Sequence, residues 1–508
     1  MTPRKFLRDT LGFAATQYAV RAALMVRGLV AARLLGPTAY GAWNGMTLIW
    51  DYGLYAHLGT QQGLEQRLPA QIVDGDGAAV RHTLRAALFN TIVLTVLFGI
   101  AGMLYFGRGP GEIRDFWGLR GVGVAMLCVL LVNVAYFHLT LLRSLGDIRN
   151  VSVWFILQGV IGVGLGLGLI PWTGVWGLLW GWLLANAVAL AYLRFKLPPE
   201  YAVLPAPSRV GFELISAGWP MLLYLGSSLV LRTLDRLVVL GYLGARGLGY
   251  YSLGVLALTM LFYLPDSVGF VMYPELLKAY RQGGDRPAAI RERVLTTLGV
   301  LSIVMPALCG LAFVFARQAV LILLPKFLPG VTAMRVLCFG AAALAIARIS
   351  SITLVTLRRQ RLLFPAALSV VVLAAAADIV VLRAGQGIRG VAWATLAVYV
   401  LHGAIMLWLA TTCLEISTAK RLRLLFRLFL PLVLGMLIAQ GLDQVLPWRG
   451  TMVTHQRILR PLMAMVAFCT LYGACVLPLA RGLGFKRILE ALQLGKAGSE
   501  KASEEPVA

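Results

Sequence analysis

Charge is what this 508-residue chain has least of: Asp, Glu, Lys and Arg together make up 13% of it. A water-soluble domain carries roughly twice that fraction. Hydrophobic residues reach 59%, and the mean hydropathy is +0.79. A soluble fold of this size would have to cover its surface with polar groups, and there are too few to do so. The shortage excludes a soluble enzyme and makes lipid the main solvent. Cysteine is scarce as well. Cys128, Cys309, Cys338, Cys413, Cys469 and Cys475 are scattered and none forms a CxxC pair, so neither a zinc site nor a disulfide framework is indicated. They read as small buried hydrophobes. Acidic residues are the rarest charges, 22 against 46 basic ones, for a net charge of +24. In so apolar a chain this excess marks cytoplasmic loops and anionic head groups, not a nucleic-acid surface. Walker, HExxH and Gly-x-Ser-x-Gly motifs are all missing. Any work the chain performs therefore draws on a gradient or a concentration difference.

What is present is a series of apolar runs. A helix needs about 20 such residues to cross the hydrocarbon. Charged or Pro/Gly-rich gaps leave fourteen: 10–33, 40–64, 86–107, 119–142, 152–170, 174–194, 214–243, 248–273, 294–316, 333–355, 362–382, 388–411, 426–446 and 460–480. The basic amino end (Arg4, Lys5, Arg8) is followed by Arg21, Arg27 and Arg33 with no uncharged core, so the first run reads as an uncleaved span. With both termini in the cytoplasm, that side holds 28 basic residues against 13 opposite, which supports this orientation.

The chain also repeats. LGPTAYG (35–41) recurs as LGARGLG (243–249), a shift of 208, and each copy closes one span and opens the next. The basic loops around Gly75-Asp76 and Gly284-Asp285 follow in the same order. Such parallel repeats are related by an axis along the membrane normal. The expected plan is an N-lobe (1–197), a Pro-rich linker (198–213), a C-lobe (214–411), an added helix pair (412–481) and a cytoplasmic tail (482–508) whose end is disordered. The fold class is thus all-α integral membrane, with about fourteen transmembrane helices.

Ionisable residues inside spans are the sharpest functional signals, because each costs roughly 2.5–3.5 kcal/mol to insert unless paired or hydrated. The first span holds Arg21 and Arg27, about 120° apart around the helix. The second holds Asp51 and His57. The seventh holds Arg232, Asp235 and Arg236, where the i, i+3 spacing lets Asp235 pair with Arg232. Asp266, Arg348 and Asp378 stand alone in the sequence. Either these groups fasten helices as ion pairs, or the equivalent first and seventh spans bring Arg21, Arg27, Arg232 and Arg236 to an anionic substrate such as a diphosphate. Asp51, His57, Asp235 and Asp266 are the candidates for ion coupling. Other features read as structural. Tryptophans 172, 176, 180 and 182 suggest an interfacial belt, the run GVIGVGLGLGL (159–169) suggests close helix packing, and Asp74-Gly-Asp76 suggests a turn.

The stretch ARLLGPTAYGAWNGMTLIWDYGLYAHLGTQQGLEQRLP (32–69) resembles the amino-terminal repeat of polysaccharide (O-antigen) flippases of the multidrug/oligosaccharidyl-lipid/polysaccharide exporter superfamily. FYLPDSVGFVMYPELLKAYRQGGD (262–285) is similar to their second repeat. The resemblance implies two six-helix lobes around a central cationic cavity, alternating access, and movement of an undecaprenyl-diphosphate-linked oligosaccharide across the bacterial inner membrane. It implies that Arg21, Arg27, Arg232 and Arg236 bind the lipid diphosphate. The implied partners are that substrate, membrane lipids and other polysaccharide assembly proteins, with no cofactor, metal or nucleic acid. Asp51 and Asp235 depart from an all-cationic site. A multidrug or organic-cation exporter of the same superfamily is the alternative, and a membrane glycosyltransferase or polymerase would need longer outer loops than these.

Overall fold

Backbone amides in hydrocarbon must be bonded within their own segment, and apolar runs of this length do so as helices. The computed structural model describes residues 3–108, 112–282, 286–445 and 454–482, all helices and connections with no strand among them. In chain order the helices are α1 (Pro3–Gly53), α2 (Thr60–Val73), α3 (Gly77–Arg108), α4 (Glu112–Ser144), α5 (Ile148–Thr173), α6 (Val175–Lys196), α7 (Arg209–Gln282), α8 (Arg286–Leu323), α9 (Val331–Thr356), α10 (Leu363–Arg383), α11 (Gly387–Cys413), α12 (Thr418–Val445) and α13 (Thr454–Gly482). The loop at Gly284-Asp285 and the tail beyond Gly482 lie outside the described residues.

Eleven of these elements are long and apolar enough to cross a membrane. Two helices are hairpins in disguise: α7, which is among the eleven, and α1, which is not. The 51-residue α1 breaks at Gly36 (φ 74°, ψ 176°) and the 74-residue α7 at Gly244 (φ 71°, ψ −174°). That combination of angles is open essentially to glycine alone. In a straight helix, residues sixteen apart would lie about 24 Å from one another. Yet the Tyr251 hydroxyl sits 2.6 Å from Asp235 Oδ2, so the chain folds back at Gly244. Counting both arms of α7 gives twelve stretches of that kind among the described residues, against the fourteen expected; the two arms of the charge-bearing α1 make up the difference in helix count. One boundary is corrected. The second span does not run to residue 64: its helix ends at Gly53, and Leu54–Gly59 form turns with Leu58 (φ 48°) and Gly59 (φ 92°) in left-handed conformations. The polar α2 begins after this turn.

The chain divides into two compact units. The first comprises residues 1–252 and 323–329. One of its cores gathers Leu64 and Leu68 of α2, Leu84 of α3, Phe137 and Leu141 of α4, and Leu214 of α7. A second sets Trp154 of α5 against Leu139 and Leu142 of α4 and Leu193 of α6. The small-residue run 159–169 lets α5 and α6 touch through backbone at Gly166 and Gly181. At Asp74-Gly-Asp76 the chain turns, and the Asp76 carboxylate accepts from the Ala79 amide at the start of α3 (2.9 Å).

The two repeated motifs meet in this unit. A Cβ on Gly41 would overlap the carbonyl of Ala245, and one on Gly249 would overlap the carbonyl of Pro37. The 208-residue shift converts each of these contacts into the other. Reciprocal contact of this kind is what a two-fold relation produces.

The second unit comprises residues 253–322 and 330–508. Its centre is α9, buried along nearly its whole length, where FGAAALAIA presents small side chains to α11. Gly340 lies against Tyr399, and Gly403 lies against the Ala343 carbonyl. From the other side Phe468 of α13 fills the space over Gly310, and the Tyr472 hydroxyl donates to the Ile303 carbonyl at 2.8 Å.

Candidate functional site

The hairpins place the charges of the first unit. On the first arm of α1, the Arg27 guanidinium lies over two indoles, Trp43 on the returning arm (5.8 Å) and Trp182 on α6 (5.0 Å). Both distances fall within cation–π range. Trp50 completes the wall, edge-on to Trp43 at 5.4 Å and to Trp182 at 5.8 Å. Gly166 lets α5 approach the Arg27 stem closely. Indole faces hold a cation without consuming its hydrogen bonds. Accordingly Arg27 Nη1 is buried with no hydrogen-bond partner among the described residues, and the same is true of Trp50 Nε1. A buried donor left unpaired costs about 1–3 kcal/mol, and more when it is charged. This arrangement is a fixed cation with a donor to spare.

On the first arm of α7 the chemistry inverts. Asp235, 4% exposed, accepts from the Tyr251 hydroxyl and, at 2.8 Å, from the Arg236 amide. The sequence suggested Arg232 as its partner. The structure corrects this: Arg232 is exposed and its Nε donates to the Ser228 carbonyl at 3.2 Å. Spacing within one helix cannot reveal a phenol that arrives from the other arm of a hairpin. Arg236 reaches back to Asp51, with Nη2 3.4 Å from Oδ2, while its own Nε is buried with no partner among the described residues. At that length the hydrogen bond is weak. Nearby, the hydroxyls of Tyr52 and Thr233 pair at 2.7 Å.

Tyr40 lies within electrostatic reach of both Arg27 and Arg236, and Asp51 within reach of both Arg236 and Arg232. Three guanidiniums and two carboxylates therefore share one neighbourhood, net positive, with unclaimed donors on Arg27 and Arg236. Arg21 is half-buried further up the same arm. His57 is buried in the turn after Gly53, where its Nδ1 accepts from the Gly59 amide at 3.2 Å. Asp266 and Arg348 are corrected from isolated charges to an ion pair at 3.0 Å within the second unit. Among the described residues no group of His, Cys, Asp and Glu is placed to hold a metal ion.

The aromatic partners were not singled out from the sequence. Trp182 was grouped with an interfacial belt, yet it faces Arg27, while Trp172 is 80% exposed and Trp176 packs on Trp117. The repeat held the missing signal. The shift of 208 carries Arg27 to Asp235 and Trp43 to Tyr251, so both charge–aromatic pairs occupy one pseudo-equivalent position.

The family model described as "Polysaccharide biosynthesis protein" matches residues 30–327, more than half of the chain. A comparison with curated protein sequences gave no significant match. Among solved structures, the lipid II flippase MurJ in an inward closed conformation superposes with a TM-score of 0.68 at 11% identity, covering 92% of this chain and 99% of that one. An inward-facing multidrug resistance MATE family transporter of the MOP superfamily gives 0.60 at 16% identity, covering 77% and 94%. A MOP superfamily transporter from Pyrococcus furiosus, described as having a binding pocket of reversed polarity, gives 0.53 at 15% identity, covering 80% and 94%.

Proposed function

The chain belongs to the polysaccharide biosynthesis protein family, and from that premise we propose that it is a flippase for an undecaprenyl-diphosphate-linked oligosaccharide. It carries the repeat unit across the bacterial inner membrane by alternating access, with both termini in the cytoplasm, and performs no catalysis. The lobes are residues 1–197 and 214–411, joined by 198–213, with 412–481 as an added helix pair. One observation carries the reading: the Arg27 guanidinium is clamped by Trp43 and Trp182 while Nη1 stays unpaired. A diphosphate oxygen supplies the missing acceptor, and charge-assisted bonds of this type are among the strongest available. Arg21, Arg232 and Arg236 add positive charge along the path, and Asp51 yields Arg236 to the substrate across their long contact. Asp235, His57 and Asp266 serve ion coupling.

Complementation of a bacterium lacking its own polysaccharide flippase tests this, with surface polysaccharide and membrane protein level read together. Arg27→Ala lowers export more than about tenfold, equivalent to about 1.4 kcal/mol, while most of the protein remains in the membrane. Arg21→Ala and Arg232→Ala act likewise. Arg27→Lys keeps the charge but loses the planar fork and retains partial activity. If the Arg27 variants merely vanish from the membrane, the guanidinium is a fastener. A second reading, export of organic cations, is favoured by the carboxylates of Asp51 and Asp235. It predicts drug resistance that survives Arg27→Ala and is lost in Asp235→Asn.

A further inference from the structure

The turn that interrupts the chain after Gly53 carries two tyrosines, Tyr52 before it and Tyr55 within it, whose hydroxyls the proposed anion site leaves unused. In an unbroken helix the Gly53 carbonyl would accept from the His57 amide. Here it accepts from the Ala56 amide at 3.0 Å and from Asn133 Nδ2 of α4 at 2.9 Å. Asn133 is fully buried, and its own carbonyl accepts from Gln61 Nε2 at 2.9 Å. The break is therefore held by the core of the first unit, and both tyrosines beside it stay half-buried.

Tyr52 has an open acceptor. Thr233 gives its hydroxyl proton to the Leu229 carbonyl at 2.9 Å, so in the 2.7 Å contact between the two hydroxyls Tyr52 is the donor. The lone pairs of the Tyr52 oxygen are left for a donor from outside. The Tyr55 hydroxyl makes no hydrogen bond among the described residues, and it lies within electrostatic reach of Asp51, Arg232 and the Tyr136 phenol of α4. The space beside these groups is wet. Asp51 is 34% exposed and Arg232 is exposed, both inside apolar runs of the sequence. Charged groups at such depth turn toward water-filled space and away from acyl chains. Asp51 also decides what can sit there, since its carboxylate repels a further anion but accepts from hydroxyls. The ring of a glycosyl diphosphate is joined to phosphorus through one oxygen, so its subsite must adjoin the cations that hold the phosphate. Tyr52 follows Asp51, which touches Arg236, and Tyr55 stands within reach of Arg232.

We propose that Tyr52 and Tyr55 form the subsite for the first sugar of the substrate, the one bonded to the diphosphate, with the Tyr52 oxygen accepting from one ring hydroxyl and the Tyr55 phenol bonding a second. The assignment rests on reading Arg27, Arg232 and Arg236 as the diphosphate site. A site that hydrogen-bonds a substrate hydroxyl discriminates against an analogue without it, because its own polar groups are then left unpaired. The two tyrosines thus give the chain a means of telling a loaded lipid carrier from a bare one.

The test is a calorimetric binding titration of the purified full chain in detergent. The probes are farnesyl diphosphate and the same lipid diphosphate carrying glucose, galactose, N-acetylglucosamine or N-acetylgalactosamine. At least one glycosylated probe should bind roughly tenfold or more tightly than the bare one, the worth of two neutral hydrogen bonds. Tyr52→Phe keeps the ring and leaves the Thr233–Leu229 bond in place, and it should cut that preference about fivefold, the worth of one. Tyr52→Phe/Tyr55→Phe should erase the preference with an unchanged size-exclusion profile. Arg27→Ala should weaken bare and glycosylated probes alike. Equal affinity for the bare probe and all four glycosylated ones overturns the sugar subsite and leaves the diphosphate reading standing. So does a preference that survives the double variant. If no probe binds, or if Arg27→Ala changes the affinity of none, the diphosphate reading falls and the subsite falls with it.

Discussion

Arg27 and Asp235 stand at the same position of two copies of one motif, nine residues before the turning glycine, yet they carry opposite charges. Each is answered from the returning arm by the aromatic residue sixteen positions later, Trp43 in one copy and Tyr251 in the other. The indole face attracts a cation through its quadrupole and leaves the N–H groups open. The phenol hydroxyl donates directly into the carboxylate and satisfies it. The two hairpins thus share one local scaffold, and in each the aromatic partner suits the sign of the charge. One copy ends with an open donor and the other with an occupied acceptor.

What the copies share should be the most fragile to disturb. At Gly41 and Gly249 a methyl group would run into backbone carbonyls that cannot swing aside. We expect Gly41→Ala and Gly249→Ala each to cost ~3 kcal/mol or more, beyond ordinary overpacking, and to do so about equally. Thermal stability on fluorescence-detected size-exclusion chromatography measures this, with Gly226→Ala, where nothing lies within 4 Å, as the control. A large loss at one glycine and none at the other would break the two-fold relation between the motifs.

Where the copies differ, the effects should diverge in size. Tyr251→Phe removes the hydroxyl that Asp235 accepts from and leaves a buried carboxylate short of a partner, a loss of about 1–3 kcal/mol. Trp43→Phe keeps an aromatic face over Arg27 and gives up only part of the cation–π attraction, about 0.5–1 kcal/mol. Denaturation midpoints of the two variants, compared in one detergent, check the ordering. Asp235→Asn in the Tyr251→Phe background should recover part of the first loss, since the stranded charge is gone.

Hydropathy alone made most of the fold legible, because lipid permits only helices where apolar runs exceed the bilayer thickness. The duplicated LGPTAYG and LGARGLG located both hairpin turns. The break after Gly53 escaped notice because Leu54, Tyr55, Ala56 and Leu58 continue the apolar run through a non-helical turn, and hydropathy is blind to dihedral angles. Within the site, Arg27, Asp51 and Asp235 stood out as charges in apolar surroundings. Their partners did not. Tyr251, Trp43 and Trp182 are unremarkable in a membrane sequence until folding brings them against a charge, and i, i+3 spacing pointed Asp235 to the wrong arginine.

The smallest effect expected concerns a contact that ties the two copies together through charge, Asp51 to Arg236. Arg236 is only 13% exposed and Asp51 34%, but at 3.4 Å the contact is too long for a strong hydrogen bond. Asp51→Asn keeps an oxygen for the guanidinium and removes only the negative charge, so the unfolding midpoint should barely move. Its effect on substrate should be larger than its effect on folding. While Asp51 stays ionised it competes with an anionic substrate for Arg236, and neutralising it frees that cation without stranding it. Transport should persist, with half-maximal rate reached at a severalfold lower substrate concentration. Loss of transport at unchanged stability would mean that the carboxylate's charge takes part in each cycle. Asp51 would then belong with Asp235 among the groups that carry the coupling ion, and the contrast between a cation-bearing copy and an anion-bearing copy would be redrawn with a carboxylate working in each.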